Sequence, residues 1–225
     1  MRIAGLQKLT LLDYTDHLAC IIFTQGCNFN CGFCQNSSLI NIDGSDYISE
    51  EEIFDFLKKR QGVLNGVVIS GGEPTIQRDL ISFIKKIKKL GYDVKLDTNG
   101  ANPQVLKELI DQSLVDYIAM DIKHTIDKYE TVTCSQVNKK SIESSIKEVK
   151  RIPHEFRTTL IKGIHNEIDI EHICEYLGAN ETIYLQNFVM SELVRDKHLS
   201  GFTPEELENI KNKLNKKYRN LKVRL

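Results

Sequence analysis

The chain has 225 residues, enough for one domain with a substantial core. Hydrophobic residues make up 41% and charged residues 27%, the composition of an ordinary soluble protein. The 30 Lys+Arg nearly balance 31 Asp+Glu, so the formal net charge of −1 gives no electrostatic reason to expect nucleic acid or an anionic membrane as partner. No run approaches the ~20 apolar residues of a bilayer span. The start, Met1-Arg2-Ile3-Ala4-Gly5, has no apolar secretory segment or cleavage site, and the expected location is cytoplasmic. Of the six cysteines, Cys27, Cys31 and Cys34 lie close together, which in a reducing compartment favours metal binding over disulfides.

In chain order, Leu18–Phe23 is a continuous apolar run, the pattern of a strand buried on both faces. Ser49 and Glu52 predict a capping box before an amphipathic helix ending near Arg60. Gly66–Ser70 reads as a second buried strand. Leu80, Ile84, Ile87 and Leu90 form a helical stripe that Gly91 ends. Tyr92–Leu96 is the third predicted strand, and Pro103 opens a helix through Ile110. Val115–Met120 is the fourth strand. A polar loop and a helix around Ser141–Arg151 follow. Phe156–Ile161 and Ile183–Phe188 are the last two main strands, with a helix over Ile168–Leu177 between them. Thr203-Pro204-Glu205-Glu206 caps a final helix, and Leu221–Leu225 is expected to add a short closing strand.

Alternation of this kind implies an α/β fold built of βα units around a parallel sheet, with six units curling into a partial or full barrel. Residues 1–225 read as one domain: a barrel core over about 18–190, a cysteine loop at 26–36, and a C-terminal helix and strand at 203–225. In such folds chemistry sits at the C-terminal strand ends, where every polar motif below falls.

Gly26-Cys27-Asn28-Phe29-Asn30-Cys31-Gly32-Phe33-Cys34-Gln35-Asn36 carries a C-x3-C-x2-C spacing directly after the first predicted strand. Three thiolates on one tight loop can hold three corners of a 4Fe–4S cluster, leaving one iron open, whereas most such clusters have four cysteines. A zinc site is the competing reading and needs a fourth ligand, such as His124 or Cys134. Cys20 and Cys174 sit on apolar stripes and read as core.

The cysteine loop with its flanks resembles the radical S-adenosylmethionine (SAM) superfamily. The resemblance implies a radical SAM partial (β/α)6 barrel, with the amino and carboxylate groups of SAM on the open iron and electron transfer that breaks the S–C5′ bond. It puts Phe33 beside the adenine and Asn36 near SAM. Ser70-Gly71-Gly72-Glu73-Pro74 resembles the segment whose backbone binds the SAM amino group. Leu96-Asp97-Thr98-Asn99-Gly100 and Met120-Asp121-Ile122-Lys123 look like segments of glycyl-radical activating enzymes, where the lysine pairs with the SAM carboxylate and some members hold a monovalent cation between the aspartates. Arg157 matches a basic residue directed at the SAM site, with a structural ion pair as the alternative. Val189 stands where some activases have a SAM-contacting histidine, a role Gln186 is expected to take; Gln35 replaces a frequent histidine after the last cysteine.

Leu11-Leu12-Asp13-Tyr14, Phe23-Thr24-Gln25-Gly26-Cys27 and Phe156-Arg157-Thr158-Thr159 make the chain similar to activating proteins of anaerobic ribonucleoside-triphosphate reductase, and more distantly to pyruvate formate-lyase activating enzyme. That resemblance implies a glycyl radical enzyme as protein substrate. With no second cysteine-rich block, it also implies a separate electron donor such as flavodoxin or ferredoxin. Thr15-Asp16, Asn30 and Gly32 depart from the group's usual residues and bear on the partner rather than the chemistry. Other readings are an activase of a different glycyl radical enzyme, a radical SAM enzyme acting on a small molecule, and an iron–sulfur electron carrier. His165 is a candidate for the pocket lining. The lysines after Thr203, Lys216 and Lys217 among them, are either a solvated helix face or a docking surface for an acidic partner.

Overall fold

Eight strands join into one sheet whose spatial order follows the chain: β1 (Ile3–Thr10), β2 (Ala19–Thr24), β3 (Gly66–Gly71), β4 (Asp93–Thr98), β5 (Tyr117–Asp121), β6 (His154–Leu160), β7 (Ile183–Asn187) and β8 (Leu221–Arg224). The computed structural model describes residues 1–42 and 47–224. From β2 to β8 every neighbouring pair is parallel, and β1 pairs antiparallel with β2. The parallel crossovers carry α1 (Glu50–Arg60), α2 (Leu80–Lys89), α3 (Pro103–Asp111), α4 (Tyr129–Thr133), α5 (Lys139–Val149), α6 (Glu167–Leu177) and α7 (Pro204–Leu214). This is the expected partial (β/α) barrel, in one domain.

The pleat sorts the residues. In β4, Val94 and Leu96 join the apolar layer under the helices with Phe83, Ile84 and Leu106, while Lys95 and Asp97 face the other way. In β6, Phe156 and Leu160 pack outward, and Glu155, Arg157 and Thr159 alternate with them. The inner face therefore has only a small apolar cluster of Tyr14, Ala19, Ile21 and Val68. Beside that cluster Lys95 Nζ donates to Asp13 O at 2.6 Å and pairs with buried Glu155 at 3.4 Å. Phe23 and Tyr117 pack against the cluster, and towards the strand ends Asp97, Asp121, Arg157, Thr159 and Gln186 line an open space.

Helix ends follow the sequence signals. Ser49 Oγ accepts from Glu52 N at 3.1 Å, Thr203 and Glu206 form a full capping box, and Gly91 takes φ +87° after α2. Three features differ from the sequence reading. Strand β1 was not expected; its residues lack strict alternation, and its pairing with β2 is broken by two register shifts. The polar loop after Lys123 contains α4. The last strand pairs with β7 only, and among the described residues nothing joins β8 to β1, so it widens the sheet without closing the barrel.

Candidate functional site

A cavity of about 410 Å³ opens at the C-terminal ends of β2 to β7. Its size suits a small-molecule ligand. Cys27, Cys31 and Cys34 all line it, as do Phe33, Gln35, Asn36, Gly71, Gly72, Glu73, Asp97, Asn99, Asp121, Lys123, Arg157 and Gln186. The fold thus brings these predicted residues to one cavity, with His165 the exception.

The cysteine loop is held by backbone. Gly72 N donates to Thr24 O at 2.9 Å and Glu73 N to Gly26 O at 2.8 Å. A Cβ on Gly71, whose φ is +116°, would lie 2.3 Å from Thr24 N, and one on Gly72 would lie 2.1 Å from Gly26 O. The sequence reading gave these glycines to ligand approach. The structure adds a requirement: the loop after β3 must press bare backbone on the root of the cysteine loop.

Glu73 is buried with both carboxylate oxygens engaged. It accepts from Thr75 N and Thr75 Oγ1 at 3.1 and 2.5 Å, from Thr98 Oγ1 at 2.8 Å and from Asn99 N at 2.6 Å. Burial pushes its carboxyl above the usual range, against the pull of these donors. Asn99 carries the connection onward: its amide nitrogen donates to Asn28 Oδ1 at 2.8 Å and lies 3.9 Å from Cys27 Sγ. Phe29 N donates to the same sulfur at 3.4 Å. Hydrogen bonds to a ligating sulfur are one means of setting a cluster's potential.

Charge gathers opposite. Lys123 Nζ donates to Asp121 Oδ2 at 3.0 Å and stands 5.9 Å over the Phe33 ring. Arg157 donates through Nε to Asp121 Oδ1 at 2.8 Å and through Nη1 to Asp97 Oδ2 at 3.2 Å. Burial alone would raise the Asp121 carboxyl, yet Arg157 and Lys123 bring it down to about 2. Both cations are held firmly protonated by the same partners.

A second clamp was invisible in the sequence. The segment after β7 folds back over the cysteine loop. Arg195 Nη2 donates to Asn30 O at 2.7 Å and Cys31 O at 3.1 Å, and Asp196 N donates to Gly32 O at 3.2 Å. Gln35 Nε2 donates to Val189 O at 3.0 Å and Ser37 Oγ to Leu193 O at 2.5 Å. Thr75, Thr98, Asn28 and Ser70, the last donating to Asp97 at 3.1 Å, also complete the site without having been singled out. Ser70 and Thr98 sit inside recognised strand-end motifs, a signal that was available; Arg195 has none.

Residues 21–177 match the radical SAM superfamily. The chain belongs to that superfamily. It is 32% identical over 216 residues to a Methanocaldococcus jannaschii protein named as a glycyl-radical enzyme activating enzyme, covering 92% of this chain and 88% of that one. It is 27% identical over 210 residues to a Pyrococcus horikoshii protein named as a GTP 3′,8-cyclase, covering 91% of this chain but 65% of the cyclase. Among solved structures, a domain of pyruvate-formate lyase-activating enzyme from Bacteroides vulgatus superposes with a TM-score of 0.56 at 19% identity, over 72% of this chain and 99% of that domain, a likeness of fold.

The donor set suits the cofactor of a radical SAM enzyme. Burial pushes the Cys27 thiol up to about 12 and raises Cys31, while nearby Lys123 pulls both down. Among the described residues no group of three or more His, Cys, Asp or Glu side chains is placed to hold a metal ion. The fourth zinc ligands considered are also committed elsewhere. His124 Nδ1 accepts from Thr125 N at 2.7 Å, and its Nε2 faces Ile164 O at 3.2 Å. Cys134 is exposed, with its thiol directed at Thr131 O.

His165 and the C-terminal lysines each have two readings from sequence, and their contacts favour the structural one in both. His165 is buried away from the cavity, stacked on His124, with Nε2 donating to Lys123 O at 3.0 Å and Nδ1 accepting from Ile161 N at 3.2 Å. It supports Lys123 from behind. Three of the C-terminal lysines are paired: Lys213 with Glu167, Lys217 with Glu171 and Glu175, and Lys211 with Glu208. A paired, solvated face describes them better than a docking surface. Among the described residues no helix is long and apolar enough to cross a membrane.

Proposed function

We propose that this radical SAM enzyme installs a glycyl radical on a partner protein, with anaerobic ribonucleotide reductase as the expected partner and a flavodoxin or ferredoxin as electron donor. The observation that carries the reading is the match along almost the whole of the Methanocaldococcus activase-named protein, joined to a cavity that sets three cysteines opposite Lys123. When bound, the 4Fe–4S cluster supplies the electron that cleaves SAM to a 5′-deoxyadenosyl radical.

The chain's own residues have separable tasks in this reading. Cys27, Cys31 and Cys34 would hold the cluster and leave it open to SAM. Lys123 offers its ammonium to the SAM carboxylate. The backbone of Gly71, Gly72 and Glu73 receives the SAM amino group, Phe33 bounds the adenine, and Gln35, Asn36 and Gln186 line the mouth. A second reading, a small-molecule substrate, draws on the likeness to the cyclase-named protein.

The test is anaerobic reconstitution. One 4Fe–4S cluster per chain is expected, with 5′-deoxyadenosine formed on reduction with SAM, and a glycyl radical signal by electron paramagnetic resonance when the candidate reductase is added. Full cluster assembly in Cys31→Ala, or no SAM cleavage by the reconstituted wild type, would overturn the reading. Deoxyadenosine without a glycyl radical on any candidate protein would favour the small-molecule alternative.

A further inference from the structure

We infer that Arg157 is the built-in counter-cation of this pocket, so that SAM binding requires no alkali-metal ion. The inference rests on the SAM site proposed above. It also departs from the monovalent cation that the family resemblance implies, because the residues present do not fit one.

Asp97 and Asp121 end neighbouring strands and face one cavity. Two carboxylates brought together in a partly dry pocket need positive charge between them. The guanidinium of Arg157 already lies there, bonded to Asp121 Oδ1 at 2.8 Å and Asp97 Oδ2 at 3.2 Å. Asp121 Oδ2 is taken by Lys123 at 3.0 Å. The remaining oxygen, Asp97 Oδ1, makes no hydrogen bond among the described residues, and the Lys95 ammonium lies 3.9 Å from it. A metal ion bridging both carboxylates would have to displace the guanidinium, and one bound at Asp97 Oδ1 alone would sit against Lys95. Two carboxylates against Arg157 and Lys123 are already neutral.

The planar fork explains why an arginine can do this. Its Nε and Nη1 reach two carboxylates at once, which a lysine ammonium on a flexible stem is less suited to do. With Asp121 also neutralised by Arg157, Lys123 can turn to the SAM carboxylate without leaving Asp121 unpaired. Arg157 is thus a positioning residue acting through Asp121 and Lys123.

The experiment measures the SAM dissociation constant of the reconstituted protein in sodium, potassium and N-methylglucamine chlorides at equal ionic strength, with ²³Na line widths on the same samples. Wild type is expected to vary less than twofold among the salts and to show no saturable ²³Na broadening. Arg157→Gln is expected to bind SAM at least tenfold more weakly in N-methylglucamine, to regain at least fivefold in sodium or potassium, and to broaden the ²³Na line. Arg157→Lys should fall between the two. A tenfold loss of wild-type affinity without alkali ions, or saturable broadening in wild type, would overturn the inference, and these two arms decide it even if Arg157→Gln does not fold. No SAM binding in any salt would refute the site assignment, and the ²³Na arm would still decide the cation question.

Discussion

Glu73→Gln tests whether this buried carboxylate is a staple or a ligand. Its Oε1 accepts from Thr75 N, Thr75 Oγ1 and Thr98 Oγ1, and its Oε2 from Asn99 N alone. A glutamine can keep its oxygen at the busier position, but its NH2 then meets the Asn99 N–H, donor against donor. One buried backbone N–H loses its partner, which costs about 1–3 kcal/mol. Glu73→Ala removes every acceptor and strands the N–H groups of both Thr75 and Asn99, while the two hydroxyls can turn elsewhere. Its cost is about 2–6 kcal/mol, twice the single-donor figure. Urea unfolding of the cluster-free protein measures both, with Ala expected to be the larger loss. SAM affinity should fall in the same order, because Asn99 also touches Cys27 and Asn28. A Glu73→Gln protein as stable as wild type but binding SAM tenfold more weakly would refute the staple and make Glu73 a direct ligand contact.

The remaining predictions probe the supports around this centre. Burial, helped by the neighbouring His124, lowers His165 from 6.5 to about 4, so the folded state takes up its proton later than the unfolded chain. Stability of the cluster-free protein should therefore fall as pH drops from 6.5 towards 4, by about 3 kcal/mol from this residue. His165→Gln should flatten that slope in urea titrations, and parallel pH curves would contradict the assignment. Gly72→Ala drives a Cβ to 2.1 Å from Gly26 O, so the cysteine loop must shift. A loss of about 1–3 kcal/mol is expected, with less than half the wild-type iron after reconstitution by iron and sulfide analysis. Arg195→Ala should cost only about 0.5–1.5 kcal/mol globally but speed hydrogen exchange across Cys31–Ser37; unchanged exchange there would show that Arg195 does not clamp the loop.

Much of this architecture can be read without coordinates, because parallel strands and their helices repeat short local signals. Continuous apolar runs such as Leu18–Phe23, stripes such as Leu80, Ile84 and Ile87, and caps such as Thr203 with Glu206 each mark one element. The polar residues were legible because they fall where those elements end. What escaped depends on distant partners. Strand β1 has no strict period and owes its form to β2. The capping box of Asn166 and Asp169 was readable and overlooked, with the helix start set at Ile168 although α6 begins at Glu167. The stapling role of Glu73 rests on four donors, two of them from β4 and the residue after it. Arg157 was left between two readings because charge balance with Asp97 and Asp121 is a property of three strands together. Arg195 meets Asn30 across 165 residues, a distance no local pattern encodes.

That last contact bears on how the protein matures. The three thiols are made early in synthesis, yet the carbonyls of Asn30, Cys31 and Gly32 are braced by Arg195 and Asp196, and the Gln35 and Ser37 side chains by the carbonyls of Val189 and Leu193, all made much later. Until that stretch has emerged and folded, the cysteine loop has its glycine-backed root and no outer brace. Full bracing of the cysteine loop therefore follows synthesis of residues 189–196. A stalled or truncated product lacking the final quarter would present three reactive thiols on a half-anchored loop, open to oxidation before any cluster can protect them.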